Sequence, residues 1–338
     1  MQIFFYTCLF TYGLLFGSFS SVLIHRFKSE EKGIWSGRSH CPKCNTTLRY
    51  FDLIPIFSYL STLGKCRYCK TKISPIYPIL ELSTAVLFML IGYFLIDINL
   101  LFIGTFSEIL KLIFWLSIGF ITILYIFYDI LFLEIHEGIM LSGISLAFLG
   151  LVSNATYIYL VPTIKATSEL YAVENLISIP LGLSIIGLLY LIMLKELKLI
   201  YDFLIISIIV LSLVILKYVF LINLSDLPVI SGIIGAFSIF IFFFLQIVLS
   251  GGRALGGGDL RIGVMIGLLL GISYSFAGMM ITYFVGSIIS ILLIIYQKIR
   301  YKNKETLNVV PFGPFLGVGF LITLLFQNQI SNIIEIYF

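Results

Sequence analysis

Two acidic residues in this sequence lie where peptide-bond chemistry could be carried out. Asp129 comes directly after the apolar run 107–128, and Asp259 follows a run of glycines that includes Gly256 and Gly258. A charged side chain at membrane depth costs free energy, so an acid at such a position predicts a functional role. Because glycine has no Cβ, an extended chain can approach the second acid closely.

Two carboxylates that come close together cannot both ionise freely, so they can share one proton as a base and an acid. The base takes a proton from the water that attacks a peptide carbonyl, and the acid protonates the leaving amine. Asp129 and Asp259 could therefore hydrolyse a peptide without a covalent intermediate. The pattern alone also fits two interfacial acids solvated by the cytosol. Motifs of serine peptidases, zinc metallopeptidases and P-loop enzymes do not occur in the sequence, so those classes find no support.

Four of the five cysteines form two C-x-x-C pairs that predict a metal site. The pairs are Cys41 with Cys44 and Cys66 with Cys69, and twenty-one residues separate them. Each pair puts two thiolates on one tight turn, and two such turns complete a tetrahedral site that suits Zn²⁺. With four protein ligands the zinc has no open position, so its expected role is structural. Two disulfides, or an iron or iron–sulfur site, are the alternatives that the spacing allows.

Membrane-spanning helices are the elements that must position these residues. The 338-residue chain is 60% hydrophobic and 11% charged, which excludes an ordinary soluble protein. We predict an all-α polytopic membrane protein of about 8–10 transmembrane helices with a small cytoplasmic zinc-binding loop domain. The apolar runs place ten spans near 3–24, 77–98, 107–128, 138–154, 178–194, 199–222, 227–249, 260–273, 276–297 and 309–327.

Five regions follow from these runs. They are a first transmembrane segment (1–26), a cytoplasmic zinc loop with four cysteine ligands (27–76), helices that carry the first acid (77–154), an extra transmembrane region (155–226) and helices that carry the glycine–aspartate motif (227–338). Glu81 opens the second span and could pair with a basic residue of the loop, and we predict a structural role for it.

The charge distribution predicts the orientation in the membrane. Ten of the 21 Lys and Arg residues fall between Arg26 and Lys72, where only three acids oppose them. A loop this basic, this close to its spans, stays in the cytoplasm, which leaves the N-terminus outside. The same alternation puts both aspartates on the cytoplasmic side. Topology alone accounts for the basic loop, so it predicts no nucleic-acid partner; the expected surroundings are membrane lipid.

Four stretches carry a family resemblance, and they follow one another in family order along the chain. Residues 17–26 are similar to G-S-F-x-N-V-x-I-x-R, the Cys-rich loop matches closely, residues 256–259 are similar to the G-x-G-D signature, and residues 311–316 read P-F-G-P-F-L. Together they resemble the bacterial type IV prepilin leader peptidases. The chain departs from the family at Ser21, where Asn is usual, and at His136, where Pro is common.

The resemblance implies a catalytic pair, Asp129 and Asp259, supported by Gly256 and Gly258 of the motif. It implies an enzyme of the bacterial inner membrane, with its active site facing the cytoplasm, that removes short basic leaders from type IV prepilin-like or pseudopilin substrates. Many relatives then methylate the new N-terminus with S-adenosylmethionine, and the resemblance leaves this second activity open.

The basic loop would repel a basic leader, so Glu134 and Glu137, which lie near Asp129, are the predicted leader contacts. A transporter or channel with a zinc-stabilised loop is the alternative from another functional class. An inactive assembly subunit that keeps the fold is a third interpretation.

Overall fold

The computed structural model describes residues 2–29, 38–160, 228–253, 255–300 and 310–337. Within these ranges the chain is mostly helical and contains no β-strand. Five of the helices there have the length and apolar composition needed to cross a membrane, and Glu137–Gly150 and Gly313–Leu325 are shorter apolar helices. The predicted all-α, multi-pass architecture is therefore confirmed. The predicted spans 178–194 and 199–222 lie outside the described residues.

The described helices are numbered here in chain order. They are α1 (Gln2–Ser29), α2 (Phe57–Ser61), α3 (Ile76–Leu95), α4 (Ile98–Ile103), α5 (Phe106–Phe132), α6 (Glu137–Leu160), α7 (Pro228–Ser250), α8 (Gly257–Arg300), α9 (Gly313–Leu325) and α10 (Gln327–Tyr337), with a 3-10 turn at Tyr50–Asp52. They divide into two compact units. The first comprises Met1–Met140 and Thr282–Phe326, and the second comprises Leu141–Ile281 and Gln327–Phe338.

Close backbone contact between α1 and α3 holds the first unit together. A Cβ added to Gly13 would lie 2.4 Å from the Cα of Ala85, and one added to Gly17 would lie 2.6 Å from the Cα of Glu81. Small residues allow membrane helices to approach in this way, which strengthens their dispersion contacts. α5 and α9 complete the core around fully buried Tyr125, Tyr128 and Phe320.

α5 continues one turn beyond its predicted end at residue 128. It ends at Phe132, where Leu133 takes a left-handed conformation with φ 54°. The apolar residues that follow Asp129 continue the helix, so this acid lies in its last turn and not after it. By contrast, α3 ends at Leu95, before the predicted residue 98. There the Asp97 side chain accepts the backbone N–H groups of Asn99 and Leu100 and so starts α4.

The second unit places the helix that carries Asp259 against α7. A Cβ on Gly267 would lie 2.5 Å from the backbone of Ala236, so the two helices touch at these residues. α8 is broken at Gly271, whose φ of 71° and ψ of −179° are not helical. The Ser231 hydroxyl accepts the N–H of Ile272 at 3.3 Å, so this backbone donor beside the break has a hydrogen-bond partner. The sequence predicts a break between 273 and 276, a few residues too late.

Candidate functional site

Asp129 has a defined partner in the first unit. Its side chain is only 5% exposed, and its Oδ2 accepts the backbone N–H of Gly313 at 2.9 Å. A Cβ at position 313 would come within 2.7 Å of that same oxygen. The start of α9 therefore fits against the carboxylate only because residue 313 is glycine. A hydrogen bond from a backbone N–H to a carboxylate is charge-assisted and fixes the orientation of the acid.

Asp259 lies in the first turn of α8 and is half-buried. Its Oδ2 accepts the N–H of Gly256 at 3.1 Å, and the N-terminal end of a helix favours a negative charge. A Cβ added to Gly257 would meet nothing within 4 Å. None of the glycines at 256–258 has a left-handed backbone conformation. The positive φ angles in this part of the chain belong to Gly251 and Gly252. At Gly257 the absence of a side chain leaves open space, as the approach of an extended chain requires.

The two acids belong to different units, Asp129 to the first and Asp259 to the second. Each accepts the N–H of a glycine that lies at or just before the start of a helix. The pairing of the two carboxylates stays a prediction of the sequence.

Glu134 already has cationic and hydroxyl partners. Its Oε1 receives a bond from Lys28 Nζ at 2.6 Å and another from the Tyr128 hydroxyl at 3.3 Å. Lys28 holds the pKa of Glu134 below its usual value, and both side chains are about half exposed. A leader residue that binds Glu134 would therefore compete with Lys28. Glu137 is exposed at the start of α6.

The four paired cysteines come together as the spacing predicts. Their Sγ atoms all lie within 4.8 Å of one another, and those of Cys41 and Cys69 are 3.9 Å apart. Four sulfurs around one zinc, each about 2.3 Å from it, would lie about 3.8 Å from one another. All five cysteines of the chain are unbridged thiols. The donor set therefore fits a tetrahedral metal ion, and the cluster could hold one.

The two C-x-x-C turns, here called the first knuckle (Cys41–Cys44) and the second knuckle (Cys66–Cys69), share one local structure. Cys41 N–H donates to the carbonyl of Thr46 at 3.0 Å, and Cys66 N–H donates to the carbonyl of Thr71 at 2.8 Å. The hydroxyl and backbone N–H of Thr71 lower the pKa of Cys69 to about 6. A thiolate is the form of cysteine that ligates a metal.

Two acids hold the loop in place through contacts that the sequence pattern did not predict. Asp52 accepts bonds from Arg67 and Tyr68 at 2.8 Å, which ties the 3-10 turn to the second knuckle. Glu81 accepts the backbone N–H of Ile56 at 2.7 Å and is buried. The predicted structural role of Glu81 agrees with this contact.

Comparisons with known proteins relate the chain to one family. Residues 11–95 match the family model described as the bacterial Peptidase A24 N-terminal domain. A prepilin leader peptidase/N-methyltransferase of Pseudomonas aeruginosa is 24% identical over 350 residues, which cover 97% of this chain and 92% of that protein.

Higher identity is confined to shorter segments. A Klebsiella pneumoniae protein of the same name is 41% identical over 25% of this chain, and a type 4 prepilin-like proteins leader peptide-processing enzyme of Escherichia coli is 41% identical over 23%. These matches span only 40% and 35% of the two relatives' own lengths. No solved structure matches the chain. Together the matches support the type IV prepilin peptidase family.

Proposed function

We propose that this chain is a prepilin leader peptidase, a membrane aspartic endopeptidase that removes short basic leaders from type IV prepilin-like or pseudopilin substrates. The proposal starts from the similarity of the chain to the type IV prepilin peptidases. The observation that carries the proposal is that Asp129 and Asp259 are each held by the N–H of a glycine, Gly313 and Gly256. The relatives that match the chain are named as prepilin leader peptidases, which favours this function over a transporter or channel.

In the proposed mechanism the two carboxylates meet around the scissile peptide and share one proton. The ionised carboxylate accepts a proton from the attacking water, while the protonated one gives its proton to the carbonyl oxygen. When the resulting tetrahedral diol collapses, the first carboxyl passes the proton from water to the leaving amine, and the second recovers its proton from a hydroxyl of the diol. The open space at Gly257 accommodates the extended substrate backbone next to Asp259. We place this site on the cytoplasmic side of the inner membrane, with the N-terminus outside, because the basic loop follows α1.

Cleavage of a co-expressed prepilin-like substrate tests this function. Membranes that contain the parent protein are expected to shorten the substrate at the junction between its leader and its hydrophobic helix. Intact mass also shows whether the product carries one added methyl group, the second activity in the relatives' names, for which S-adenosylmethionine would be the donor. Failure to cut several such substrates would favour the transporter or assembly-subunit interpretation.

Zn²⁺ is the proposed occupant of the cysteine cluster, with Cys41, Cys44, Cys66 and Cys69 as its ligands. Bound there, it would supply folding free energy to a loop that is too small for its own core. The cluster has no open position for a substrate, so we give the metal no part in the chemistry.

Gly313 is a positioning residue in this account, and its replacement by Ala is expected to disturb Asp129. The added Cβ would lie 2.7 Å from Oδ2, so the carboxylate must move. Misplacement of a catalytic group by about 1 Å can cost roughly a hundredfold in rate. We expect kcat to fall by about tenfold to a hundredfold with KM nearly unchanged. Gly286→Ala is the matched control, because the three atoms nearest its added Cβ all belong to Phe315, at 3.3–3.6 Å, and none belongs to an acid. Equal losses in the two variants would show general packing damage instead.

Leader recognition by Glu134 and Glu137 gives a charge-specific prediction. Removal of the competing cation in Lys28→Met should lower KM for a basic leader, whereas Glu134→Gln should raise it, each by about two- to fivefold, as for an exposed ion pair. Measurements at several salt concentrations check the electrostatic origin. Unchanged cleavage of basic leaders by a variant in which both Glu134 and Glu137 are Gln would contradict this assignment.

A further inference from the structure

The loop between α1 and α3 exposes several large apolar side chains on one short segment, residues 50–63. Five of them are between 63% and 88% exposed: Tyr50, Phe51, Phe57, Leu60 and Leu63. Scattered apolar residues are normal on a protein surface, but a contiguous patch indicates a surface that binds something. The catalytic proposal makes no use of this patch.

A hydrogen bond fixes the depth of the segment relative to the spans. The N–H of Ile56 donates to Oε2 of Glu81 at 2.7 Å, and Ile56 has φ 59°, a region that β-branched residues rarely adopt. Glu81 lies five residues inside α3, about 7 Å from the start of that helix at 1.5 Å per residue. It also touches Gly17 of α1, which lies nine residues before Arg26, or about 13 Å along the axis. Because a glutamate side chain is short and leans toward the N-terminal end of its helix, the chain around Ile56 lies close to the start of α3, where this span meets the membrane interface.

Basic and hydroxyl side chains border the apolar patch. They line an open cleft of about 440 Å³ that also includes Leu63 and Cys66: Ser61, Thr62, Lys65, Arg67 and Lys70. Arg67 forms an ion pair with Asp52, with 2.8 Å between Nε and Oδ1. Cations and hydroxyls next to an apolar side chain match the chemistry of an anionic phospholipid, whose phosphate and acyl chain lie equally close together.

We propose that residues 50–63 insert into the interfacial layer of the membrane and bind anionic phospholipid, so that the metal-binding loop is seated on the bilayer. The depth set by Glu81 agrees with the 5–10 Å to which interfacial helices bury their apolar faces. The cationic border would repel the basic leader of a substrate, and a second copy would bring like charges together. The proposal does not depend on peptidase activity.

Lipid quenching of an introduced tryptophan tests the proposal on the full chain. Phe57→Trp is placed in a background with Trp35→Phe and Trp115→Phe, and the protein is reconstituted in nanodiscs of phosphatidylglycerol and phosphatidylcholine. Lys43→Trp, at the exposed tip of the first knuckle, is the matched control. Brominated acyl chains should quench the fluorescence of Phe57→Trp roughly threefold more than that of Lys43→Trp, because an interfacial side chain reaches the acyl boundary. Iodide in the water should show the opposite preference.

Several results would overturn the proposal. The first is equal quenching of the two variants by iodide with no effect of brominated lipid. Shielding of the indole in Phe57→Trp only after a prepilin-like substrate is added would assign the patch to the substrate. Shielding that appears in detergent only when the protein dimerises would assign it to a second copy. Leu60→Trp repeats the measurement on the same segment if Phe57→Trp does not fold.

Discussion

Asp129→Asn and Asp259→Asn are each expected to reduce leader cleavage by at least about a thousandfold, the largest effect in this account. A general acid or base contributes roughly 10²–10⁴-fold, and each carboxylate serves in both steps of the proposed hydrolysis. Asparagine keeps the shape of the side chain but can neither accept the proton from water nor return it to the amine. Cleavage of a prepilin-like substrate at matched membrane levels measures the loss.

The double variant should be no worse than either single variant, because residues that act as one unit give non-additive losses. Asp97→Asn is the matched control. Asp97 caps α4, and asparagine caps a helix about as well as aspartate does, so this variant should keep both its stability and its cleavage activity. Substantial cleavage by both Asp129→Asn and Asp259→Asn would remove the catalytic assignment.

Loss of one metal ligand is expected to unfold the loop, the second large effect. Structural zinc supplies roughly 10 kcal/mol or more to small domains of this kind, and the described loop contains only two short helical turns, Tyr50–Asp52 and Phe57–Ser61. The parent protein should contain one zinc per chain. Cys44→Ser and Cys69→Ser should lose it and become sensitive to limited proteolysis between residues 38 and 75.

Cys8→Ser is the matched control for the metal experiment, because Cys8 lies in α1 and outside the cluster. It should keep both the zinc and the protease resistance. Iron in the parent protein, or unchanged zinc in Cys44→Ser, would contradict the proposed site.

The long apolar runs and the cysteine spacing predicted most of what the described residues show. α1, α3 and α5 follow from runs that are long enough to span a bilayer. Each C-x-x-C turn is local and brings its own two thiols together, and the shared chemistry of the two pairs predicted that they meet in one cluster. The break in α8 was harder to place. Glycines recur at 263, 267 and 271, and nothing in their spacing indicates that Gly271 is the one that leaves the helical conformation.

Long-range contacts to backbone groups could not be predicted from periodicity. The bond from Gly313 to Asp129 joins residues that are 184 positions apart, and its donor is a main-chain N–H that every residue except proline has. The signal at 311–316 was a family resemblance without a stated role. Likewise, the partner of Glu81 is the N–H of Ile56, whereas the sequence suggested at most a basic side chain in the loop.

The central claim, that Asp129 and Asp259 act as one pair, is tested most directly by a disulfide between cysteines at the two positions. Asp129→Cys and Asp259→Cys are combined in a protein with Cys8→Ser and oxidised in membranes, with and without a prepilin-like substrate. A disulfide needs Cα atoms within about 7 Å, so the account predicts a cross-linked peptide, identified by mass, that the substrate increases. Asp259→Cys with Asp97→Cys, at the predicted outer side, should give none. Failure to cross-link under either condition, although each cysteine reacts with a maleimide, would contradict the paired-carboxylate mechanism.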